Sequence, residues 1–147
     1  MKKIIIGSDH AGFELKTKII NFLETKNYNV TDVGCYSSDS VDYPDFAHKV
    51  ADSINKSEFK KGILICGSGN GVSITANKYA LVRAALSWNI EIAKLARLHN
   101  DANIVCIPAR FISVSEAIEI VEIFLETDFE GGRHLTRVKK IPINNKD

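Results

Sequence analysis

Cys66 stands at the head of the one stretch whose residue types and spacing could do proton or covalent chemistry. It ends the run Gly62-Ile63-Leu64-Ile65-Cys66 and is followed by Gly67-Ser68-Gly69-Asn70-Gly71, where every second residue is glycine. Glycine lets the backbone approach a ligand closely and adopt positive φ, and the N–H groups at a helix start lack partners. Such a loop can therefore hold an anion or a developing oxyanion, and a thiol beside it is placed to act as base or nucleophile. Spacing excludes two familiar phosphate fingerprints: G-x-G-x-G lacks the last step of the dinucleotide pattern, and no Gly-Lys-Ser/Thr follows for a P-loop. A cysteine phosphatase would need arginine at position 72, where Val72 stands. An ordinary strand-to-helix turn around an inert cysteine fits the same residues.

Further candidates lie elsewhere. Asp9 and His10 follow an apolar run at Lys2 to Gly7, so they fall at the C-terminal end of a first strand, where open parallel sheets bind ligands; a helix N-cap and a solvated loop residue are the plainer readings. Only five of the nineteen Lys and Arg residues are arginine, yet Arg133 and Arg137 stand four apart and share a helix face. Arginine is the better planar donor to phosphate, although a solvated basic face explains the pair as well. Arg110, at the exit of the last strand, is a third candidate clamp.

The elements that must position these groups follow from periodicity. Leu15, Ile19, Phe22 and Leu23 recur at helical spacing, with Glu14, Lys16, Lys18 and Lys26 on other faces. Val30 to Val33 reads as a second strand. Pro44 suits the start of a helix carrying Phe46, Ala47, Val50, Ala51 and Ile54 inward, with His48 on the surface. After the Gly62–Cys66 strand, Val72, Ser73, Ile74 and Ala76 resume helical spacing. Arg83 to Ser87 is a fourth strand, Ile90 to Leu98 a helix with Ala93, Ala96 and Leu98 on one side, and Ile104 to Ile107 a fifth strand. Ser113 and Glu116 form a capping box for a helix bearing Ala117, Ile118, Val121, Phe124 and Leu125. Five strands alternating with helices predict a parallel sheet covered on both faces, with right-handed crossovers.

That order has a geometric consequence. His99 and Asn100 lie between a helix and the strand it precedes, which puts them at the N-terminal edge of the sheet, opposite Asp9, His10 and Cys66. If all serve one site, a two-fold partner must complete it. If not, His99 simply ends a helix near its dipole.

Composition narrows the partners. The 147 residues suit one domain, with no linker or repeat dividing them, and a net charge of +1 gives no footprint for nucleic acid or an anionic membrane. The apolar run at the N-terminus is too short for a signal peptide or a membrane span. Three cysteines, an odd number, argue for reduced thiols in a cytoplasm, with Cys35 and Cys106 as packing residues. No two histidines or cysteines have a metal-ligand spacing.

Taken in order, Ser8-Asp9-His10-Ala11-Gly12, Asp42-Tyr43-Pro44, Cys66 through Gly71, Ala76-Asn77-Lys78, His99-Asn100-Asp101 and Gly131-Gly132-Arg133-His134 through Arg137 closely resemble ribose-5-phosphate isomerase type B, over nearly the whole chain. That family includes the galactose-6-phosphate isomerase subunits. The resemblance implies a Rossmann-like three-layer αβα sandwich with a five-stranded parallel sheet, and a homodimer able to pair into a tetramer. It also implies a C-terminal segment, about 130–147, packing on or across the dimer. The implied activity is cofactor-free and metal-free interconversion of ribose 5-phosphate and ribulose 5-phosphate through a cis-enediolate. Carried over residue by residue, Cys66 moves the proton between C1 and C2. The N–H groups of Gly67, Ser68, Gly69, Asn70 and Gly71 stabilise the enediolate, assisted by the Ser68 hydroxyl. His99 opens the furanose ring with Asp9 near the sugar, Asn100 orients the substrate, and His10, Arg110, Arg133 and Arg137 contact it, the arginines mainly at phosphate. Ser68 stands where relatives often carry threonine, keeping the hydroxyl. Val72 stands where a cysteine-lacking branch carries its glutamate base, which places the chain in the cysteine branch. A six-carbon substrate, or a sensor that has kept the pocket without the chemistry, are the alternatives; a pure binder would need neither Cys66 nor His99.

Overall fold

In a computed structural model whose described residues run from 2 to 143, the alternating pattern becomes five strands and six α-helices. The strands are β1 (Lys3–Ser8), β2 (Asn29–Asp32), β3 (Gly62–Cys66), β4 (Ala84–Leu86) and β5 (Ile104–Pro108). The helices are α1 (Phe13–Thr25), α2 (Tyr43–Asn55), α3 (Asn70–Ala76), α4 (Ile90–Asn100), α5 (Val114–Glu126) and α6 (Arg133–Lys139), and a 3₁₀ turn at His10–Gly12 leads into α1. The far end of the tail, 144–147, falls outside the described residues.

All four strand pairings are parallel, in the order β2-β1-β3-β5-β4. Central β3 is buried along its whole length, as a strand covered on both faces must be. Alternation along it splits the core in two. Ile63 and Ile65 pack with α1, α4 and α5 through Leu15, Ile19, Leu23, Ala93, Ala96, Ile120 and Phe124. Leu64 and Cys66 face the other way, onto α2 and α3 through Ala47, Val50, Ala51, Val72 and Ala76. The result is the expected three-layer αβα sandwich.

The order also creates the site's location. From β1 the chain moves outward to β2, and from β3 it moves the opposite way toward β4. Connections of one hand then place α1 and α3 on opposite faces, which is where the two core clusters put them. The C-terminal ends of β1 and β3 are the topological switch point of this sheet, where folds of this kind place their ligands.

Four local expectations are corrected. Lys16, read as lying off the buried face of α1, is 1% exposed. Its ammonium donates to Asp32 Oδ1 and to the Cys35 carbonyl, each at 2.6 Å, and sits between the Phe13 and Tyr36 rings; burial is tolerated because the charge is paired. Ile74 points to solvent, since α3 buries its i, i+4 pair Val72 and Ala76 instead. In α4 it is Arg97, not Leu98, that joins Ala93 and Ala96 inside. Its guanidinium reaches the Thr127 carbonyl (3.0 Å), the Ala102 carbonyl (2.6 Å) and Asp101 Oδ1 (2.8 Å). Finally, α4 runs through His99 and Asn100 to a left-handed C-cap at Asp101 (φ 47°), so both are last-turn helix residues rather than loop residues. In α5 the buried stripe includes Ile120, with Ile118 half-buried. No helix among the described residues is long and apolar enough to cross a membrane.

Candidate active site

Three adjacent strand ends meet at the C-terminal edge of the sheet. At the end of β1, Asp9 donates its N–H to the Ile65 carbonyl (3.2 Å), and its carboxylate accepts from the Gly12 N–H (3.2 Å), capping the 3₁₀ turn. The capping role foreseen for Asp9 is therefore real, and it leaves the other carboxylate oxygen free of protein hydrogen bonds among the described residues. Next to it, His10 Nδ1 accepts from the Val41 N–H at 3.1 Å, which fixes that ring and leaves Nε2 as the nitrogen that can donate. Ser8 is fully buried, and its hydroxyl is the one buried side-chain polar atom without a partner among the described residues.

At the end of β3, Cys66 is 4% exposed and Gly69 donates its N–H to Sγ at 3.2 Å, holding the sulfur in one orientation. Gly69 can do so because it sits at φ 73°, a conformation that suits glycine, immediately ahead of α3. The Asn70 N–H donates to the Ser68 hydroxyl (3.3 Å). The β5 exit is stitched onto this loop: Ala109 N–H donates to the Cys66 carbonyl (2.9 Å) and Arg110 N–H to the Gly67 carbonyl (3.0 Å). The Arg110 guanidinium lies over Gly67, with Nη1 3.0 Å from where a Cβ would sit. A side chain at position 67 would displace that cation. Asp9, His10, Cys66, the Gly67–Gly71 loop and Arg110 thus gather at one edge of the sheet. Tyr43, which sequence reasoning did not single out, joins them: its ring occupies the space a Cβ on Gly71 would need. Its signal was its place in Asp42-Tyr43-Pro44, at the first turn of α2 after the Asp42 N-cap position.

The remaining candidates sit at the opposite edge. His99 and Asn100 close α4, which precedes β5, and five-residue β3 alone puts roughly 17 Å between the two edges. Glu130 N–H donates to the Leu98 carbonyl (3.1 Å), drawing the tail back onto α4. There α6 places Arg133 and Arg137 on its exposed surface and buries His134, whose ring stacks on His99 with centroids 4.2 Å apart and planes 13° from parallel. Burial, the adjacent His99 and the cations of Arg133 and Arg137 push the His134 imidazole below its usual range, against the pull of Glu130. Glu130 Oε2 lies 3.8 Å from His99 Nε2. Spacing along the chain pairs no metal ligands, yet the fold gathers donor atoms of His99, Glu130 and His134 within 4.8 Å of one another.

Two cavities flank these groups. One of about 740 Å³ is lined by Asn100 together with Lys78, Arg83, Ile141 and Ile143. The other, about 720 Å³, lies under the N-terminal edge between Lys2, Lys61, Arg97 and Asp128. Cys66 lines neither; around its buried sulfur, Ser68, Asn70 and Arg110 are the exposed residues. Burial pushes the Cys106 thiol well up, as expected of a packing residue, and all three cysteines are free.

Comparison with known proteins places this geometry. The Ribose/Galactose Isomerase family profile matches residues 4–141. Ribose-5-phosphate isomerase B of Escherichia coli is 43% identical over 141 residues, covering 96% of this chain and 95% of that protein. The crystal structure of a ribose 5-phosphate isomerase from Thermotoga maritima superposes with a TM-score of 0.94 at 52% identity, covering 96% of this chain and 97% of that one. Ribose-5-phosphate isomerase B from Mycoplasma genitalium, solved with ribulose-5-phosphate bound, gives a TM-score of 0.91 at 50% identity, covering 95% and 93%. A profile match across nearly the full length, with relatives this similar, means that the chain belongs to the ribose/galactose isomerase family.

Proposed function

We propose that this chain interconverts D-ribose 5-phosphate and D-ribulose 5-phosphate, with Cys66 as the carbon base. The observation that carries the reading is the meeting of the Cys66 sulfur, a glycine loop rich in N–H groups, and Asp9, His10 and Arg110 at one switch-point edge of the sheet, in a chain whose relatives are ribose-5-phosphate isomerases, one of them holding ribulose-5-phosphate. A hydrogen on carbon beside a carbonyl is weakly acidic, so its base must be held close while the oxygen charge is stabilised. Cys66 removes the proton from C2 of the open-chain aldose and returns it to C1. The N–H groups of the Gly67–Gly71 loop receive the enediolate oxygen, with those of Gly69 and Asn70 exchanging their present bonds to Cys66 Sγ and the Ser68 hydroxyl for it, and the Ser68 hydroxyl assists proton movement between the two oxygens. The sugar phosphate is held by His10 and Arg110 from this chain.

The site is shared between two copies. His99 and Asn100 stand at the far edge of the sheet, so the partner's His99 donates a proton to the ring oxygen as the C1–O bond of the furanose breaks, while Asp9 accepts the proton of the anomeric hydroxyl and the C1 carbonyl forms. The partner's Asn100 orients the sugar, and the partner's Arg133 and Arg137 close the phosphate clamp. Single-domain organisation, a tail that contributes across this dimer, a cytoplasmic location consistent with three free thiols, and a place in pentose phosphate metabolism belong to the same reading. Because the family description spans galactose as well as ribose, kcat/KM for five- against six-carbon phosphates decides the sugar.

Subunit complementation tests the whole arrangement. Cys66→Ala and His99→Ala proteins should each lose turnover of ribose 5-phosphate. Co-refolded in equal amounts they should recover about a quarter of the normal rate, since half the dimers are mixed and each mixed dimer has one intact site. Substantial isomerisation by Cys66→Ala alone removes Cys66 as the base. Inactive parents with no recovery on mixing remove the shared site.

A further inference from the structure

His99, Glu130 and His134 form a cluster of two imidazoles and one carboxylate, the donor set of catalytic zinc sites that keep a fourth position open. We infer that this cluster is an inhibitory site for Zn²⁺, which captures the ring-opening histidine. The inhibitory half of this inference rests on the proposed role of His99; the binding half rests on the cluster alone.

The geometry favours an adjustable site with one fixed ligand. His134 is 7% exposed and held on α6, so it anchors the ion. The side chains of His99 and Glu130 are 39% and 57% exposed, free to move and open to an arriving ion. Zinc bonds of about 2.0–2.2 Å at tetrahedral angles separate ligand atoms by roughly 3.4 Å. The His99 Nε2 to Glu130 Oε2 distance of 3.8 Å is close to this, and the outermost donors must close from within 4.8 Å. The stacked rings must also splay from their 13° angle so that both lone pairs converge, a rotation left to the exposed His99. The anchoring contact is already made through the Glu130 N–H bond to the Leu98 carbonyl, which ties the carboxylate-bearing residue to the turn carrying His99.

Two features limit affinity. Arg133 and Arg137 are near enough to act on His134, so a dication meets repulsion, and the stack gives up its face-to-face contact on opening. Binding is therefore reversible and weaker than at a four-ligand structural zinc. Once bound, the ion occupies the lone pair that His99 needs to carry a proton, and ring opening stops. The enediolate step at Cys66 does not use that nitrogen. Ribulose 5-phosphate cannot close a furanose through its phosphorylated O5, so it enters the site already open. Zinc should slow net turnover of ribose 5-phosphate at least tenfold, while solvent deuterium exchange into ribulose 5-phosphate falls much less.

The binding test uses full-length Cys66→Ala protein, which removes the competing catalytic thiol, titrated calorimetrically with zinc chloride in phosphate-free buffer. One Zn²⁺ per chain is expected. Glu130→Gln, an exposed substitution outside the proposed catalytic and binding machinery, and His134→Ala should each weaken binding by about tenfold or more. Cobalt(II) should give the visible absorption of a tetrahedral site in the parent and lose it in both variants. In the otherwise wild-type enzyme, Glu130→Gln should keep basal turnover and lose zinc sensitivity, with chelator restoring the uninhibited rate of the parent. No binding at 100-fold excess, or binding indifferent to both substitutions, overturns the site. Binding as described with turnover unaffected by zinc overturns the inhibition. A failure of the Cys66 and His99 roles would leave the calorimetric result standing, so the two readings fail separately.

Discussion

Gly69 and Gly131 have the same backbone angle, φ 73°, in different surroundings, and that pair separates conformational from steric cost. At Gly131 a Cβ would meet nothing within 4 Å. Alanine there incurs only the left-handed penalty of about 1–2 kcal/mol, partly offset by a stiffer unfolded chain, for a net loss of roughly 0.5–1 kcal/mol. At Gly69 the new methyl would collide with Leu86 Cδ1 and stand 3.3 Å from the backbone of both Ile107 and Pro108. The leucine tip can swing away, but the β5 backbone is held in the central sheet, so overpacking adds about 1–3 kcal/mol. Gly69→Ala should therefore lose about 2–4 kcal/mol. For a domain of this size that lowers Tm by roughly 4–16 °C, against about 1–4 °C for Gly131→Ala. Scanning calorimetry at one pH reads both. The Gly69 N–H also points at Cys66 Sγ from 3.2 Å, so the same substitution should cut kcat by about tenfold or more through loss of a placed donor. Equal Tm values for the two variants would refute the argument from Cβ space, and unchanged kcat in Gly69→Ala would refute any need for that N–H to stay where it is.

Lys61 gives a pH signature. Burial first, then repulsion from Arg97, pushes its ammonium down to about 8 from 10.5. Between those values the unfolded chain binds a proton that the folded chain does not, so stability rises with pH through this window. With the side chain only half-buried, solvent screening reduces the effect to about 1 kcal/mol. Urea melts from pH 7.5 to 10.5 should show that rise in the parent relative to Lys61→Met; parallel curves would refute the depressed ammonium. At α5, Ser113 Oγ accepts the Glu116 N–H (3.2 Å) while Glu116 Oε1 accepts the Ser113 N–H (3.3 Å). Ser113→Ala should cost about 1 kcal/mol and Ser113→Asp should recover most of it in thermal melts; an unchanged Tm for the alanine variant would show the box to be dispensable.

What could be read from the chain alone was whatever depends on neighbours in sequence. The β3 run, the Pro44 helix start and the Ser113 capping box are local signals, and the structure places each of them as expected. Lys16 and Arg97 were not legible because what permits their burial comes from elsewhere: a carboxylate on β2 and the Cys35 carbonyl for one, the carbonyls of Ala102 and Thr127 for the other. Hydrophobic periodicity counts such residues as outward-facing. The stacking of His134 on His99 joins residues thirty-five apart in the chain through a left-handed Gly131-Gly132 turn, and nothing in helix spacing reports it. Strand order was also out of reach, since alternation says that strands exist but not that β5 lies between β3 and β4.

The division of candidate residues between two edges was legible nonetheless, for a reason independent of side-chain detail. In a parallel sheet every strand ends at one edge and every crossover helix returns the chain to the other. Residues following β1, β3 and β5 must therefore meet at the first edge, and residues closing α4 must lie at the second, whatever the sheet order. The extension of α4 through His99 and Asn100 changes their secondary structure but not their edge. The tail deepens the separation, because Glu130 and His134 fasten α6 to the end of α4 and so carry Arg133 and Arg137 to the same side as His99. Chemistry that needs both His99 and Cys66 at one sugar therefore needs two chains. Under the proposed dimer, a folded variant made monomeric should keep its Cys66 loop intact and lose turnover; a monomer that isomerises at the normal rate would refute the shared site.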